Sequence, residues 1–308
     1  MARVIDHDDI DWGAYEAQTE LRVKVRPASI FADDLVAHFA PKKPNFRRAR
    51  MTSTKLRTCL DFRPKEATVW AGYNGHRKSM LLGQVVLDLC AMGERVLSAS
   101  FEMDPSEDLA RKARQCFATS CPSERQLRAF SQWTDDRLWM FDHRGRIKPS
   151  QTLTLARFFA EELQGQHLVI DSMMMVCASE ESLDEQKQFM TDLVRVALET
   201  GLHIHLVAHC KKPLDEGKPP TKYDIRGSAA IADQAQNIVM VWANRAKKAG
   251  LEANPHDEAL LAKPDALVCI EKQRNGQFEG KLALWCDEAS FRFTDERTTP
   301  LEPYPIEI

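Results

Sequence analysis

Residues 71–79, A-G-Y-N-G-H-R-K-S, follow the apolar residues 68–70 and nearly spell the phosphate-cradling loop G-x-x-x-x-G-K-[ST]. In such a loop a glycine-rich backbone points successive N–H groups at a phosphate chain. A lysine reaches the outer phosphates, and a hydroxyl binds Mg²⁺. Gly72, Lys78 and Ser79 stand at the required spacing. The expected nucleotide-binding set is Gly72, Asn74, Gly75, His76, Arg77, Lys78 and Ser79, with ATP or another NTP as ligand. Where the motif asks for a last glycine, this chain has Arg77. Glycine serves where φ is positive or where backbone passes close to phosphate. If position 77 needs positive φ, arginine costs about 1–2 kcal/mol. If its φ is ordinary, the guanidinium can add a phosphate contact. Two readings follow: an active NTPase with a variant loop, or a degenerate site that binds nucleotide poorly.

Three further groups fit phosphate chemistry. S-A-S-F-E ends an apolar run with Glu102, where a carboxylate can orient and deprotonate the water that attacks a γ-phosphate. H-L-V-I-D ends in Asp171, the usual form of the acid that holds the water shell of Mg²⁺ opposite the loop hydroxyl. H-I-H-L-V-A-H ends in His209, a polar group placed to touch the γ-phosphate and report its loss; His203 and His205 read as ordinary strand residues. The segment after His209 is rich in Gly, Pro and Lys and closes in R-G-S. Lys211, Lys212, Lys218, Lys222 and Arg226 bring positive charge, and the backbone at Gly227 and Ser228 can approach a polyanion.

Apolar runs at 68–70, 95–101, 137–141, 167–171, 203–209 and 237–242 read as strands that carry these groups at their ends. Helical stretches at 79–92, from about 105, at 152–163 and at 183–199 separate them. The rhythm predicts an α/β fold with a largely parallel twisted sheet, whose ligands sit beside the carboxyl ends of its strands. Residues 266–272, 281–285 and 290–293 come close together around N-G and D-E turns and read as antiparallel C-terminal strands.

Ahead of this core, residues 1–27 read as an N-terminal extension. Residues 28–59 read as a linker helix, with Ile30, Phe31, Leu35, Val36 and Phe39 at helical spacing after Ser29, and a basic connector at 41–50. The core is expected over 60–308. With 44% hydrophobic residues in 308 the chain can bury a full core, and a net charge of −3 excludes a globally basic protein while leaving room for a local cationic strip. Eight scattered Cys without metal-ligand spacing point to reduced thiols and a cytoplasmic protein. Neither a signal peptide nor an apolar run of the roughly 20 residues needed to cross a membrane is present in the sequence.

At these residues the chain resembles the DnaB-type (superfamily 4) replicative helicases, most nearly the helicase half of bifunctional phage primase–helicases. D-I-R-G-S-A-A-I looks like the family's D-[LI]-R-G-S-[GA]-A-[IL] segment, and K-Q-R-N-G like its K-x-R-x-G segment; the match runs in order over about residues 28–293. The resemblance implies a RecA-like P-loop NTPase core forming a homo-oligomer, a hexameric ring that moves along single-stranded DNA. It implies Glu102 as general base, Asp171 as Mg²⁺-associated acid and His209 as phosphate sensor. Lys211, Lys212, Lys218, Arg226, Gly227 and Ser228 would contact DNA, and Arg245 the base of the nucleotide. Arg274, with Lys272 beside it, would reach the neighbouring subunit's nucleotide as an arginine finger. Any primase or polymerase partner is expected to be a separate chain. The alternatives are a RecA-family recombination or repair factor, an accessory ATPase, or a nucleotide-binding ring with degenerate catalysis at Arg77.

Overall fold

The computed structural model describes residues 28–33, 36, 52–177, 182–213, 215–276 and 278–307. The chain divides into two units, Met1–Phe46 and Arg47–Ile308. In the first, a 3-10 turn spans Ala28–Phe31 and leads into helical residues at 32, 33 and 36. Ser29 lies inside that turn rather than capping it, and Val36 is exposed. The expected extension at 1–27, Leu35, Phe39 and the basic connector lie outside the described residues.

The second unit is built on a nine-stranded sheet ordered β3-β2-β4-β5-β1-β6-β7-β8-β9. The strands are β1 Ala67–Gly72, β2 Val96–Ser100, β3 Leu138–Met140, β4 His167–Asp171, β5 His203–His209, β6 Asn237–Ala243, β7 Ala266–Gln273, β8 Gly280–Cys286 and β9 Phe293–Thr294. The first six run parallel, and the last three are added antiparallel. The helices are α1 Thr54–Cys59, α2 Lys78–Ala91, α3 Pro105–Phe117, α4 Glu124–Thr134 and α5 Pro149–Glu162. They continue with α6 Met173–Val176, α7 Leu183–Thr200, α8 Ala230–Gln234, α9 Arg245–Ala253 and α10 Glu258–Leu261.

Strand alternation divides the apolar residues between the two faces of the sheet. Val69, Ala71, Ile170, Leu206 and Met240 join a core with α7, through Phe189, Met190 and Leu193. Trp70, Val169, Val207 and Val241 face the other way, against Leu81, Leu82, Val85 and Val86 of α2. The interior strands are rich in apolar residues because both faces are covered, and polar side chains such as Thr68, His203 and His205 are buried with hydrogen-bond partners.

The structure adds one element and changes two expectations. Residues 54–59, at the end of the segment 28–59 and past the connector expected at 41–50, form α1: Ser53 caps it by accepting from the Leu56 N–H, and Leu56 is buried against the α2 face of the sheet. The strand expected at 137–141 is half-buried rather than buried, because β3 is the edge of the sheet. The strand expected at 290–293 shortens to β9, because Phe291 has φ 64° and closes a turn.

Candidate nucleotide-binding and catalytic site

The loop between β1 and α2 sits at the carboxyl end of a strand flanked by β5 and β6, the position where parallel α/β sheets hold ligands. Its glycines are required by geometry. A Cβ on Gly72 would lie 2.2 Å from the Val241 carbonyl oxygen, and Gly75 has φ 73°. The Lys78 ammonium is buried and donates to its own loop, to the carbonyls of Gly72 (3.1 Å) and Tyr73 (3.0 Å). Burial pulls its pKa down, against the opposing pull of Asp171. Two backbone carbonyls thus hold the ammonium at the place where phosphate oxygens would replace them.

Ser79, in the first turn of α2, donates to Asp171 Oδ2 at 2.6 Å. Burial pushes the Asp171 carboxyl up, and the Ser79 hydroxyl opposes it. Among the described residues no group of three His, Cys, Asp or Glu could cage a metal ion. A hydroxyl and a carboxylate side by side are the donor set that Mg²⁺ takes from a protein when phosphates and waters fill its remaining positions. The residues therefore fit Mg²⁺ bound together with a nucleotide.

Glu102 follows β2 and is exposed. The peptide between Asp171 and Ser172 is cis. Ser172 donates to Glu102 Oε1 at 2.6 Å, and His209 Nε2 lies 3.6 Å from the same oxygen. The His209 imidazole first, and the Ser172 hydroxyl after it, hold the Glu102 carboxyl down to about 2 in spite of its partial burial. Three adjacent strand ends, of β2, β4 and β5, thus bring Glu102, Asp171 and His209 together beside Lys78 and Ser79.

Arg77 adopts the left-handed conformation, φ 66° and ψ 21°, at the N-cap of α2. The motif's preference for glycine there is thereby explained. Its guanidinium pairs with Glu288 in the turn between β8 and β9. The left-handed residue costs about 1–2 kcal/mol, whereas an ion pair as open as this one, with Glu288 60% exposed, contributes about 0.2–1 kcal/mol.

His76 lies beneath the loop rather than in it. It is fully buried, its Nδ1 accepts from the Ala243 N–H at 3.1 Å, and its ring meets Tyr73 edge-on. Burial, and then the Arg245 charge, bring its pKa to about 4, so the ring is neutral. Asn74 is exposed and offers its carbonyl to Arg245 at 2.9 Å, and the other end of that guanidinium pairs with Glu216. Beside the loop opens a cavity of about 680 Å³, whose lining includes Gly75, Arg77, Asn244, Arg245, Trp285 and Glu288. That volume suits a small-molecule ligand.

The lysine-bearing segment after β5 is stitched shut at its base. Cys210 bridges Ile225, the Lys211 N–H donates to the Asp224 carbonyl, and the Arg226 N–H donates to the His209 carbonyl. Arg226 is thereby joined directly to the end of β5. The Ser228 N–H donates to Gln186 of α7 at 2.9 Å. Lys211 and Lys212 are exposed at the base of this segment, and Lys218 at its far part.

Lys272 and Arg274 lie elsewhere. Lys272 donates to the carbonyls of Ala232 and Asp233 at 2.8 Å, and Arg274 to that of Asp233 at 3.2 Å. The Arg274 N–H bonds the Gln236 carbonyl, and the Gln236 N–H bonds that of Ala67. They sit at the amino end of β1, roughly 16 Å of strand from Gly72 at about 3.3 Å per residue. An arginine side chain does not span that distance to its own loop.

Sequence reasoning missed Ser172 and Glu288. The first was legible as the D-S pair after β4. The second had no local signal, since its partner is far away in sequence.

A family model for an AAA domain matches residues 39–215, more than half of the chain. One solved ATPase domain is similar with a TM-score of 0.68 at 15% identity, over 86% of this chain and 96% of that one. A DnaB-like replicative helicase, solved to describe its interactions with primase, is similar with a TM-score of 0.69 at 16% identity, over 91% of this chain and 71% of that one. At such identities the likeness is one of fold. No helix among the described residues is long and apolar enough to cross a membrane. With its loop, strand-end acids and mostly parallel sheet, the chain belongs to the AAA-domain family and has the fold of the DnaB-type helicase ATPase domain.

Proposed function

We propose that this chain is an NTP-hydrolysing motor that forms a ring, most simply a hexamer, and moves along single-stranded DNA in replication. The observation that carries the reading is the convergence of Lys78, Ser79, Glu102, Asp171 and His209 at one end of the sheet, with the cationic segment hydrogen-bonded to His209 itself. Lys78 would exchange its two loop carbonyls for phosphate oxygens. Ser79 and Asp171 would hold Mg²⁺, which neutralises charge on the phosphates. Glu102, ionised and aimed by Ser172, would orient the attacking water and take its proton.

His209 would transmit the loss of a phosphate, because its carbonyl fixes Arg226 at the base of the DNA-contacting segment that also carries Lys211, Lys212 and Lys218. Arg274 and Lys272, out of reach of their own loop, would act on the nucleotide of the adjacent subunit. A finger from a neighbour ties hydrolysis to assembly. Arg245, on the rim of the cavity, would face the nucleoside, and primase or polymerase would join as separate chains.

Hydrolysis of ATP with Mg²⁺, with and without single-stranded DNA, tests the reading. Stimulation by DNA together with unwinding of a forked duplex supports it. Hydrolysis that coats DNA without unwinding favours a recombination factor. No turnover with any NTP leaves a nucleotide-binding ring.

A further inference from the structure

Arg77 has to do with a cationic side chain what the motif does with none. Its backbone takes the left-handed shape of the missing glycine and leads into α2, and Lys78 follows at once. Lys78 feels the carboxylates of both Asp171 and Glu102. A guanidinium released from Glu288, one residue before Lys78, would crowd the cradle that an incoming nucleotide must enter. Its planar fork of donors makes pairing with a carboxylate strong.

Instead the guanidinium meets Glu288, on a turn that is tied down from several sides. Asp287 Oδ2 accepts from the Ser290 N–H (2.7 Å) and hydroxyl (2.6 Å), and the Phe291 N–H donates to the Asp287 carbonyl at 2.8 Å. Arg114 of α3 donates to the Ala289 carbonyl and lies 3.8 Å over the Phe291 ring. Gln115 donates both to the Phe291 carbonyl (2.9 Å) and to the Met80 carbonyl (2.8 Å) at the start of α2. The turn that presents Glu288 is thus fastened to the helix that Arg77 caps.

We propose that Glu288 is a positioning residue for nucleotide binding: it holds the Arg77 guanidinium out of the phosphate cradle, so that the Arg77 backbone serves where glycine otherwise would. The proposal rests on the reading of residues 72–79 as the nucleotide site. Glu288 Oε2 also lies 3.9 Å from Lys248 Nζ, an open contact remote from the backbone of residue 77, so Glu288 should matter to nucleotide binding chiefly while residue 77 is arginine.

The test is a double-mutant cycle on the full chain: wild type, Glu288→Gln, Arg77→Gly and the double variant. Affinity is read with a fluorescent ATP analogue and Mg²⁺, and folding by thermal melting without nucleotide. Glu288→Gln is expected to weaken binding about tenfold when Arg77 is present and less than about twofold when residue 77 is glycine, a coupling usual for residues in contact. Glu288→Ala should repeat this pattern, which separates loss of the charge from any new contact made by the amide. An equal loss in both backgrounds, as for a carboxylate that touches nucleotide directly, overturns the proposal. So does tight binding by all four proteins. If none of the four binds nucleotide, the reading of the site falls and takes the proposal with it.

Discussion

Ser79 of α2 and Asp171 of β4, ninety-two residues apart in sequence, share a 2.6 Å hydrogen bond at the mouth of the phosphate loop. The bond joins the helix that follows β1 to the end of a strand that is not its neighbour, since β5 lies between β4 and β1. Asp171→Asn keeps the shape and removes the charge. Mg²⁺-dependent turnover should fall by about 10²–10³-fold, the scale seen when one charge-stabilising group is lost. The measurement is steady-state hydrolysis across a Mg²⁺ titration, and unchanged turnover would show that Asp171 does not serve the ion.

Glu102 offers a separate handle. With its carboxyl held at about 2, it is ionised throughout the range in which the protein can be assayed, so it should give no acid limb to the rate profile. Glu102→Gln should retain nucleotide binding and lose turnover by about 10²–10⁴-fold. Replacing His209 by Asn removes the first cause of the lowering, so the Glu102 carboxyl should rise and an acid limb should appear from the low-pH side. A profile that is identical in both proteins would detach His209 from Glu102.

The position of Arg274 predicts complementation. Arg274→Ala and Glu102→Gln should each be nearly inactive. Mixed, they create interfaces in which an intact Glu102 meets an intact Arg274 from the neighbour, and turnover should partly return. A mixture no more active than its parts would argue for action within one chain, against the strand geometry that separates Arg274 from Gly72.

Stability should depend on pH in a way set by two kinds of buried group with opposite sign. His167, His203 and His205 cluster together, with Phe62 edge-on to the last two. Trp70 donates to His205 Nδ1 at 3.2 Å, and His167 and His205 share a 3.2 Å hydrogen bond. Burial depresses all three, His203 to about 4. The unfolded chain therefore binds more protons between about 6.5 and 4, and stability falls as pH drops through that window, by up to about 1.4 kcal/mol per unit for each ring.

Asp88 of α2 works against this. It accepts from the Tyr304 hydroxyl at 2.6 Å and from the Thr52 N–H at 3.1 Å, and burial raises it to about 7. Here the folded state binds the extra proton, so this contribution is present at low pH and is lost as pH rises towards 7. Asp88→Asn should make the acid-side fall in melting temperature steeper. Equal slopes in both proteins would show that Asp88 does not hold its proton in the folded state.

The strands that carry the candidate site are legible from sequence alone. β4 at His167–Asp171 and β5 at His203–His209 have the limits that the sequence predicts, because both are interior strands whose residues, the histidines included, are buried up to the ligand-facing group at the carboxyl end. The same logic picks out Glu102, Asp171 and His209, whose meeting only the fold shows. β3 and β9 are less legible, since an edge strand is half-buried and Phe291 takes a positive φ that its residue type does not signal. Arg77 divides the two kinds of information. The motif fixed that a glycine-like, left-handed residue was wanted at that place, because only backbone shape brings N–H groups to phosphate. Where the arginine's charge goes depends on Glu288, which the fold delivers from the far end of the chain through Arg114 and Gln115. Local sequence determines backbone preference and burial, whereas the partner of a buried or parked charge is set by tertiary packing alone.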